Sequence, residues 1–81
     1  MRELSLFSGA GGGLLATKYL LGFRTVGMVE YDPYCQRVLM QRQADGLLDQ
    51  CPIFGDIRDF IKEGWAGSYA GMVDIITAGF P

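Results

Sequence analysis

The sequence contains no histidine and only two cysteines, Cys35 and Cys51. Without histidine, neither a Ser-His-Asp nor a Cys-His catalytic set can be assembled, and the usual zinc ligand sets are excluded. Two cysteines are too few for a disulfide framework, and neither lies beside basic residues that would lower its pKa, so we interpret both as structural or incidental. A GxxxxGK[ST] phosphate loop is also missing. We therefore expect no metal site and none of these hydrolytic or triphosphate-binding chemistries.

A surplus of basic residues and a long apolar run are missing as well. Seven basic against nine acidic side chains give a formal net charge of -2, so the positive surface of a self-sufficient nucleic-acid binder is absent. Lys18 interrupts the longest apolar stretch and Arg2-Glu3 does not begin a signal peptide, so we expect a cytoplasmic protein without membrane association. With 81 residues, 49% of them hydrophobic, the chain is expected to form one small globular domain of modest stability.

A glycine-rich turn is the most informative stretch that is present. Residues 4–7 predict a short buried strand, which runs into a turn with four glycines among residues 9–13. Glycine permits close approach to the backbone, and a helix over residues 12–21 would direct unpaired N–H groups and the positive end of its dipole at a bound group. The turn therefore predicts a ligand that carries a phosphate or a carboxylate.

Strands alternate with helices along the rest of the chain. We predict strands at residues 25–30, 52–54 and 72–78, helices at 33–43 and 57–63 with Phe60 and Ile61 turned inward, and a loop at 64–71. Right-handed βαβ connections then give an α/β fold, half of a doubly wound parallel sheet with strand order 3-2-1-4. The ligand crevice of such a sheet lies at the carboxyl ends of strands one and four. Strand four is an open edge, which favours self-association.

Two acidic residues follow strands at this rim of the predicted sheet. Glu30 lies nineteen residues after Gly11, the spacing at which nucleotide-binding sheets place an acid on ribose hydroxyls; the alternative is a solvated residue at a strand end. Asp56 either accepts a hydrogen bond from an adenine amino group, between Phe7 and Ile57 as apolar walls, or caps the following helix.

The glycine pattern bears on the choice of cofactor. Leu14 occupies the place of the third glycine in a dinucleotide fingerprint, which disfavours a pyrophosphate cofactor and an oxidoreductase that binds a dinucleotide. S-adenosylmethionine fits better, because it offers an adenosine to the acids and an amino-acid carboxylate to backbone N–H groups near the helix start. The spacing of the glycines and acids therefore favours S-adenosylmethionine over a dinucleotide.

Four segments taken together resemble the amino-terminal part of DNA (cytosine-5) methyltransferases. They are LFSGAGG at residues 6–12, VEYD at 29–32, GDI at 55–57 and DIITAGFP at 74–81, in the order of the family motifs and spread over nearly the whole chain. The resemblance implies a Rossmann-like, S-adenosylmethionine-dependent methyltransferase fold. Residues 1–81 are then a single truncated S-adenosylmethionine-binding subdomain.

The resemblance also implies a role for individual residues. Phe7, Tyr31 and Ile57 would form the adenine pocket. Glu30 would bind the ribose hydroxyls, and Asp56 would accept from the adenine amino group. The remaining cofactor-binding positions implied by the resemblance are Ser8, Gly9, Ala10, Gly11, Gly12 and Gly13, whose backbone would hold the methionine portion, and Pro81.

In the family this chain resembles, a cysteine directly after the proline matching Pro81 attacks C6 of a flipped-out cytosine and activates C5 for methylation. That cysteine, the assisting glutamate and the target-recognition region are not among these residues. The resemblance therefore implies that DNA is bound through the carboxyl-terminal region of a longer parent enzyme. Ser5 and Ala78 stand where the family commonly has an acid and a glycine. We expect a cofactor-binding fragment that transfers no methyl group alone; the alternative is a non-catalytic S-adenosylmethionine-binding module or half of a split methyltransferase.

Overall fold

The computed structural model describes residues 1–79, which form four strands and four helices. The strands are β1 (Arg2–Leu6), β2 (Arg24–Val29), β3 (Ile53–Phe54) and β4 (Ile75–Ala78), and the helices are α1 (Gly12–Leu21), α2 (Pro33–Ala44), α3 (Ile57–Lys62) and α4 (Trp65–Ala70). All strand pairs are parallel and the sheet order is β3-β2-β1-β4. The predicted α/β class and strand order are therefore confirmed.

Local sequence signals set the ends of the two longer helices. Gly22 ends α1 in the left-handed conformation, with φ of 70°, and its N–H donates to Lys18 O. The carboxylate of Asp32 accepts from the Tyr34 N–H, and Pro33 occupies the first turn of α2, where its missing N–H costs no hydrogen bond. These caps place both helices where the sequence predicts them.

Helices cover both faces of the sheet, because successive strand residues point to opposite sides. Met28 of β2 packs in one core cluster with Leu14 of α1 and Leu39 of α2. The next residue, Val29, packs in the other cluster with Phe60 of α3 and Tyr69 of α4. The sheet is thus a middle layer between two helical layers. No helix among the described residues is long and apolar enough to span a bilayer.

The prediction of a loop at residues 64–71 is wrong, because α4 forms there. Its sequence contains Gly67 and Ser68, which disfavour a helix, but tertiary packing overrides that preference. The Trp65 and Tyr69 rings lie 5.4 and 6.1 Å from the ring centre of Phe54. Two details of the flanking elements also differ: β4 begins at Ile75 rather than residue 72, and Ile61 is 61% exposed rather than buried.

Tyr69 also stabilises an irregularity in the sheet. The register of β1 against β2 shifts between Glu3 and Leu4, which pair with Thr25 and Gly27 and so leave Val26 as an extra residue. The Tyr69 hydroxyl donates to the Val26 carbonyl at 3.0 Å. Gly27 makes room for this contact, since a Cβ there would lie 2.9 Å from the tyrosine ring.

The β4 flank of the sheet is joined to α1 by a buried carboxylate. Glu3, only 1% exposed, accepts hydrogen bonds from the hydroxyl groups of Thr17 on α1 and Thr77 on β4. On the opposite face of β4, Ile76 is 59% exposed. In the described part of the chain β4 pairs with β1 alone, so its outer edge is open, as the strand order predicts.

Candidate functional site

The turn between β1 and α1 contains three residues with positive φ: Phe7 at 53°, Gly9 at 57° and Gly11 at 91°. A phenylalanine rarely adopts this conformation, because its Cβ crowds the backbone, and such strain is concentrated at functional sites. The N–H of Ser8 donates to the Val29 carbonyl at 3.2 Å, and its hydroxyl donates to Ser5 Oγ at 2.9 Å. The turn is therefore held against the carboxyl ends of β1 and β2.

The glycines of the turn serve different purposes. A Cβ at Gly11 would lie 3.0 Å from Leu39 Cδ2 and 3.1 Å from a methyl carbon of Leu48, so Gly11 allows α1 to pack closely against the α2 layer. No atom lies within 4 Å of the corresponding positions at Gly9, Gly12 and Gly13, where space for a ligand remains. The sequence does not distinguish these two uses of glycine.

Glu30 lies directly after β2 and is 9% exposed. Its Oε1 accepts from the Gly9 N–H at 2.5 Å, and its Oε2 accepts from the Asp32 N–H at 2.9 Å. The carboxylate is therefore fixed between the glycine turn and the start of α2, and it is not a freely solvated strand end. Each carboxylate oxygen can accept two hydrogen bonds, and residues 1–79 donate one to each, which leaves an acceptor position on each oxygen.

The backbone of Glu30 is held just as firmly. Its N–H donates to the Phe54 carbonyl of β3 at 2.8 Å, and its carbonyl accepts from Gln36 Nε2 at 2.7 Å. Gly55 lets the Gln36 amide approach, since a Cβ there would lie 3.2 Å from Nε2. Gln36 is thus a positioning residue that the sequence analysis missed. Its place six residues after Glu30 carries no recognisable signal without the geometry of α2.

Two of the cavities at this rim of the sheet adjoin each other. The first, named here the Glu30 cavity, has a volume of about 470 Å³ and is lined by Phe7, Ser8, Gly9, Glu30, Tyr31, Asp32, Cys35 and Gly79. The second, the Asp56 cavity, has a volume of about 240 Å³ and is lined by Phe7, Val29, Tyr31, Asp56, Ile57 and Arg58. Phe7 and Tyr31 line both cavities, so Glu30 and Asp56 lie at the same rim. The structure therefore brings together the acids and the aromatic residues singled out from the sequence.

Asp56 caps α3, which is one of the two roles that the sequence left open. Its Oδ1 accepts from the Arg58 N–H at 2.8 Å, and its Oδ2 accepts from Arg58 Nη2 at 3.0 Å. These bonds, led by the one from the Arg58 side chain, hold the pKa of the Asp56 carboxyl below its usual value. Because Asp56 also lines a cavity, capping and ligand binding are compatible here.

Other predicted site residues lie at the edge of the two cavities or outside them. Ala10, Gly11 and Gly12 line neither cavity, and Gly13 lines a smaller one of about 140 Å³ beside Glu3 and Thr17. Pro81 falls outside the described residues. The roles of the predicted site residues as cofactor contacts stay predictions.

Neither thiol is activated. The pKa of Cys35 is raised, chiefly by desolvation and then by a hydrogen bond from the thiol to Asp32. Burial raises the pKa of the Cys51 thiol to about 11. Raised values disfavour the nucleophilic thiolate, in agreement with the expectation that neither cysteine is reactive. Within residues 1–79, no group of three or more His, Cys, Asp or Glu side chains is placed to hold a metal ion.

A parallel sheet between two helical layers, with a glycine turn and acidic residues at the carboxyl ends of its strands, defines a Rossmann-like α/β protein. A family model described as C-5 cytosine-specific DNA methylase matches residues 1–81, the whole chain. The chain therefore belongs to this family, whose members act on DNA and generally depend on S-adenosylmethionine. Neither a curated protein nor a solved structure matches it significantly.

Proposed function

We propose that this chain binds S-adenosylmethionine in the Glu30 and Asp56 cavities, as the cofactor-binding part of a DNA cytosine-5 methyltransferase. The observation that carries the proposal is the hydrogen bond from the Gly9 N–H to Glu30, together with the two aromatic residues shared by both cavities. An extended nucleoside then spans from one acid to the other along a single rim.

Glu30 would bind the ribose. The Gly9 and Asp32 N–H groups fix its carboxylate and, as far as the described residues are concerned, leave one acceptor position on each oxygen. Two adjacent hydroxyl groups, such as the 2′ and 3′ hydroxyls of ribose, match this pair of acceptors. Hydrogen bonds from hydroxyls to a carboxylate are stronger than those between neutral groups, so this contact is expected to be a main contribution to affinity.

The purine would occupy the Asp56 cavity. Phe7 and Tyr31, which are 39% and 71% exposed, supply aromatic surface that a planar ring would cover, and Ile57 adds an apolar wall. Asp56 would accept from the exocyclic amino group. The methionine portion would extend toward Gly9, Gly12 and Gly13, where the backbone is open to approach and α1 begins.

The complete methyltransferase would transfer the methyl group to C5 of cytosine in DNA. The 81-residue chain has a net charge of -2 and does not contain the cysteine that would follow Pro81, so by itself it is expected neither to grip DNA nor to methylate it. Incubation of this chain with radiolabelled cofactor and duplex DNA should therefore yield no labelled 5-methylcytosine. The appearance of that product would contradict this part of the proposal.

Calorimetric titration with S-adenosylhomocysteine tests the binding site. Glu30→Ala should weaken binding by about 1.5 to 3 kcal/mol, because it removes a charged acceptor from the ribose. Glu30→Gln, which keeps one acceptor oxygen and the side-chain shape, should weaken it less. Asp45→Ala is the matched control, since it removes an exposed carboxylate at the far end of α2.

The assigned role of Glu30 requires the Asp45→Ala variant to bind like the unmodified chain while both Glu30 variants bind more weakly. Equal affinities for all variants would contradict it. If the unmodified chain does not bind S-adenosylhomocysteine at all, the proposed function itself is wrong.

A further inference from the structure

Arg58 is the principal hydrogen-bond donor to the carboxylate of Asp56. Its main-chain N–H and its Nε donate to Oδ1 at 2.8 and 3.3 Å, while Nη2 donates to Oδ2 at 3.0 Å. A guanidinium that engages both oxygens fixes the plane of a carboxylate as well as its position. The Asp59 N–H makes a smaller contribution to the same carboxylate.

Folding does not explain this arrangement. The Arg58 side chain is 83% exposed, and an exposed ion pair contributes little to stability. The cap of α3 needs only the main-chain N–H of Arg58, which any residue at this position would supply. Arg58 nevertheless lines the Asp56 cavity, together with Phe7 and Tyr31.

We propose that Arg58 is a positioning residue that makes the Asp56 cavity selective for a purine with an amino group, rather than an oxo group, at C6. The inference rests on the proposed function. It assigns to Arg58 the task of orienting the Asp56 carboxylate toward the purine. Asp56 is the residue that contacts the base, and Arg58 acts through it.

The selectivity follows from the hydrogen-bonding capacity of the carboxylate. An ionised carboxylate only accepts hydrogen bonds, so it pairs with an exocyclic amino group and repels a carbonyl oxygen. Within the described residues, Oδ2 accepts from Nη2 of Arg58, which leaves an acceptor position on that oxygen. An aspartate carboxyl group is ionised at neutral pH, and Arg58 holds the pKa of Asp56 below its usual value, so the group remains an acceptor to lower pH than an ordinary aspartate.

Without the guanidinium, the Asp56 side chain can rotate about its terminal bond and exchange its remaining partners with water. A rotated or hydrated carboxylate discriminates less between an amino and an oxo group, because its open acceptor no longer points in one direction. Affinity for the amino-substituted purine should therefore fall more than affinity for the oxo-substituted one.

The experiment compares S-adenosylhomocysteine with S-inosylhomocysteine, which differ in the group at C6. Dissociation constants are measured by calorimetry for the 81-residue chain and for Arg58→Gln, Arg58→Lys and Lys62→Gln. Arg58→Gln removes both the charge and the paired guanidinium donors, whereas Arg58→Lys keeps the charge without the paired donors. Lys62→Gln removes a cation from the same helix and leaves the contacts of Asp56 unchanged. Urea denaturation of each variant checks that the fold is retained.

The unmodified chain and Lys62→Gln should prefer the adenosyl compound by about tenfold or more, since a buried polar contact left unpaired is costly. Arg58→Gln should reduce that preference by about threefold to tenfold, with Arg58→Lys in between. An unchanged preference in Arg58→Gln would overturn the inference. Equal binding of both compounds by the unmodified chain would overturn it as well, together with the base contact assigned to Asp56, and leave the proposed binding of S-adenosylmethionine standing. Binding of neither compound would contradict the proposed function, and the inference with it.

Discussion

The two flanks of β1 differ in how completely they are covered. On the β2 flank, helices bury Met28 and Leu39 completely, and hydrogen bonds fix both the backbone and the carboxylate of Glu30. On the β4 flank, Ile76 is 59% exposed, and β4 pairs with β1 alone among the described strands. The residues proposed to hold adenosine come mainly from the covered flank. Rigid support of a ligand site and an open sheet edge therefore coexist in one short chain.

The largest expected effect tests the difference in burial between the flanks. Leu39→Ala should lower the free energy of unfolding by about 2 to 5 kcal/mol, because it leaves a cavity between α1, α2 and β2. Ile76→Ala on the β4 flank should change it by less than about 1 kcal/mol, because the side chain is already more than half exposed. Urea denaturation monitored by circular dichroism measures both values.

Leu39→Met serves as the control for that experiment, since it keeps the side-chain volume and should cost less than about 1.5 kcal/mol. If Leu39→Ala and Ile76→Ala lower the free energy of unfolding by similar amounts, the two flanks of β1 are equally well packed in solution, which would contradict the difference described above.

An intermediate effect is expected from the hydroxyl that secures the bulge of β2. Tyr69→Phe removes the hydrogen bond to the Val26 carbonyl and should lower the free energy of unfolding by about 0.5 to 1.5 kcal/mol. Tyr34→Phe is the matched control, because the Tyr34 side chain is 63% exposed. If both variants are equally stable, the Tyr69 hydroxyl does not support the covered flank.

The smallest effect on stability, and the sharpest test of the open edge, comes from Ile76→Lys. A lysine on an edge strand opposes pairing with another strand, so this variant should remain monomeric at protein concentrations where the unmodified chain self-associates. Its unfolding free energy should change by less than about 1 kcal/mol. Sedimentation velocity over a range of concentrations measures the association.

Tyr19→Lys places the same charge on the exposed surface of α1 and should leave self-association unchanged. A strictly monomeric unmodified chain would contradict the prediction of self-association through β4, and so would an Ile76→Lys variant that associates as strongly as the unmodified chain.

Much of the fold could be predicted because its strongest signals are local. The glycine turn, Gly22 and the Asp32-Pro33 pair each act locally, through backbone geometry or a side-chain cap, so the positions of α1 and α2 follow from a few residues. Parallel strands of alternating βαβ units then leave few possible strand orders. Glu30 and Asp56 follow neighbouring strands in that order, which is why the sequence alone predicts that the two acids lie at the same edge of the sheet.

The features that could not be predicted depend on contacts between distant elements. α4 forms because Trp65 and Tyr69 pack against Phe54, although its own sequence is a poor helix former. The contact of Gln36 with Glu30 depends on how α2 lies against β3, and no spacing rule encodes it. The left-handed conformation of Phe7 likewise has no signature in a residue type that normally avoids it.

The close packing at Gly11 has a consequence for how variation within the family should be interpreted. Because a Cβ there would lie only 3.0 and 3.1 Å from Leu39 and Leu48, and φ is 91°, a larger residue would be disfavoured even in a member that bound no cofactor. Retention of this glycine in a divergent homologue would therefore indicate conserved helix packing and would not by itself indicate cofactor binding.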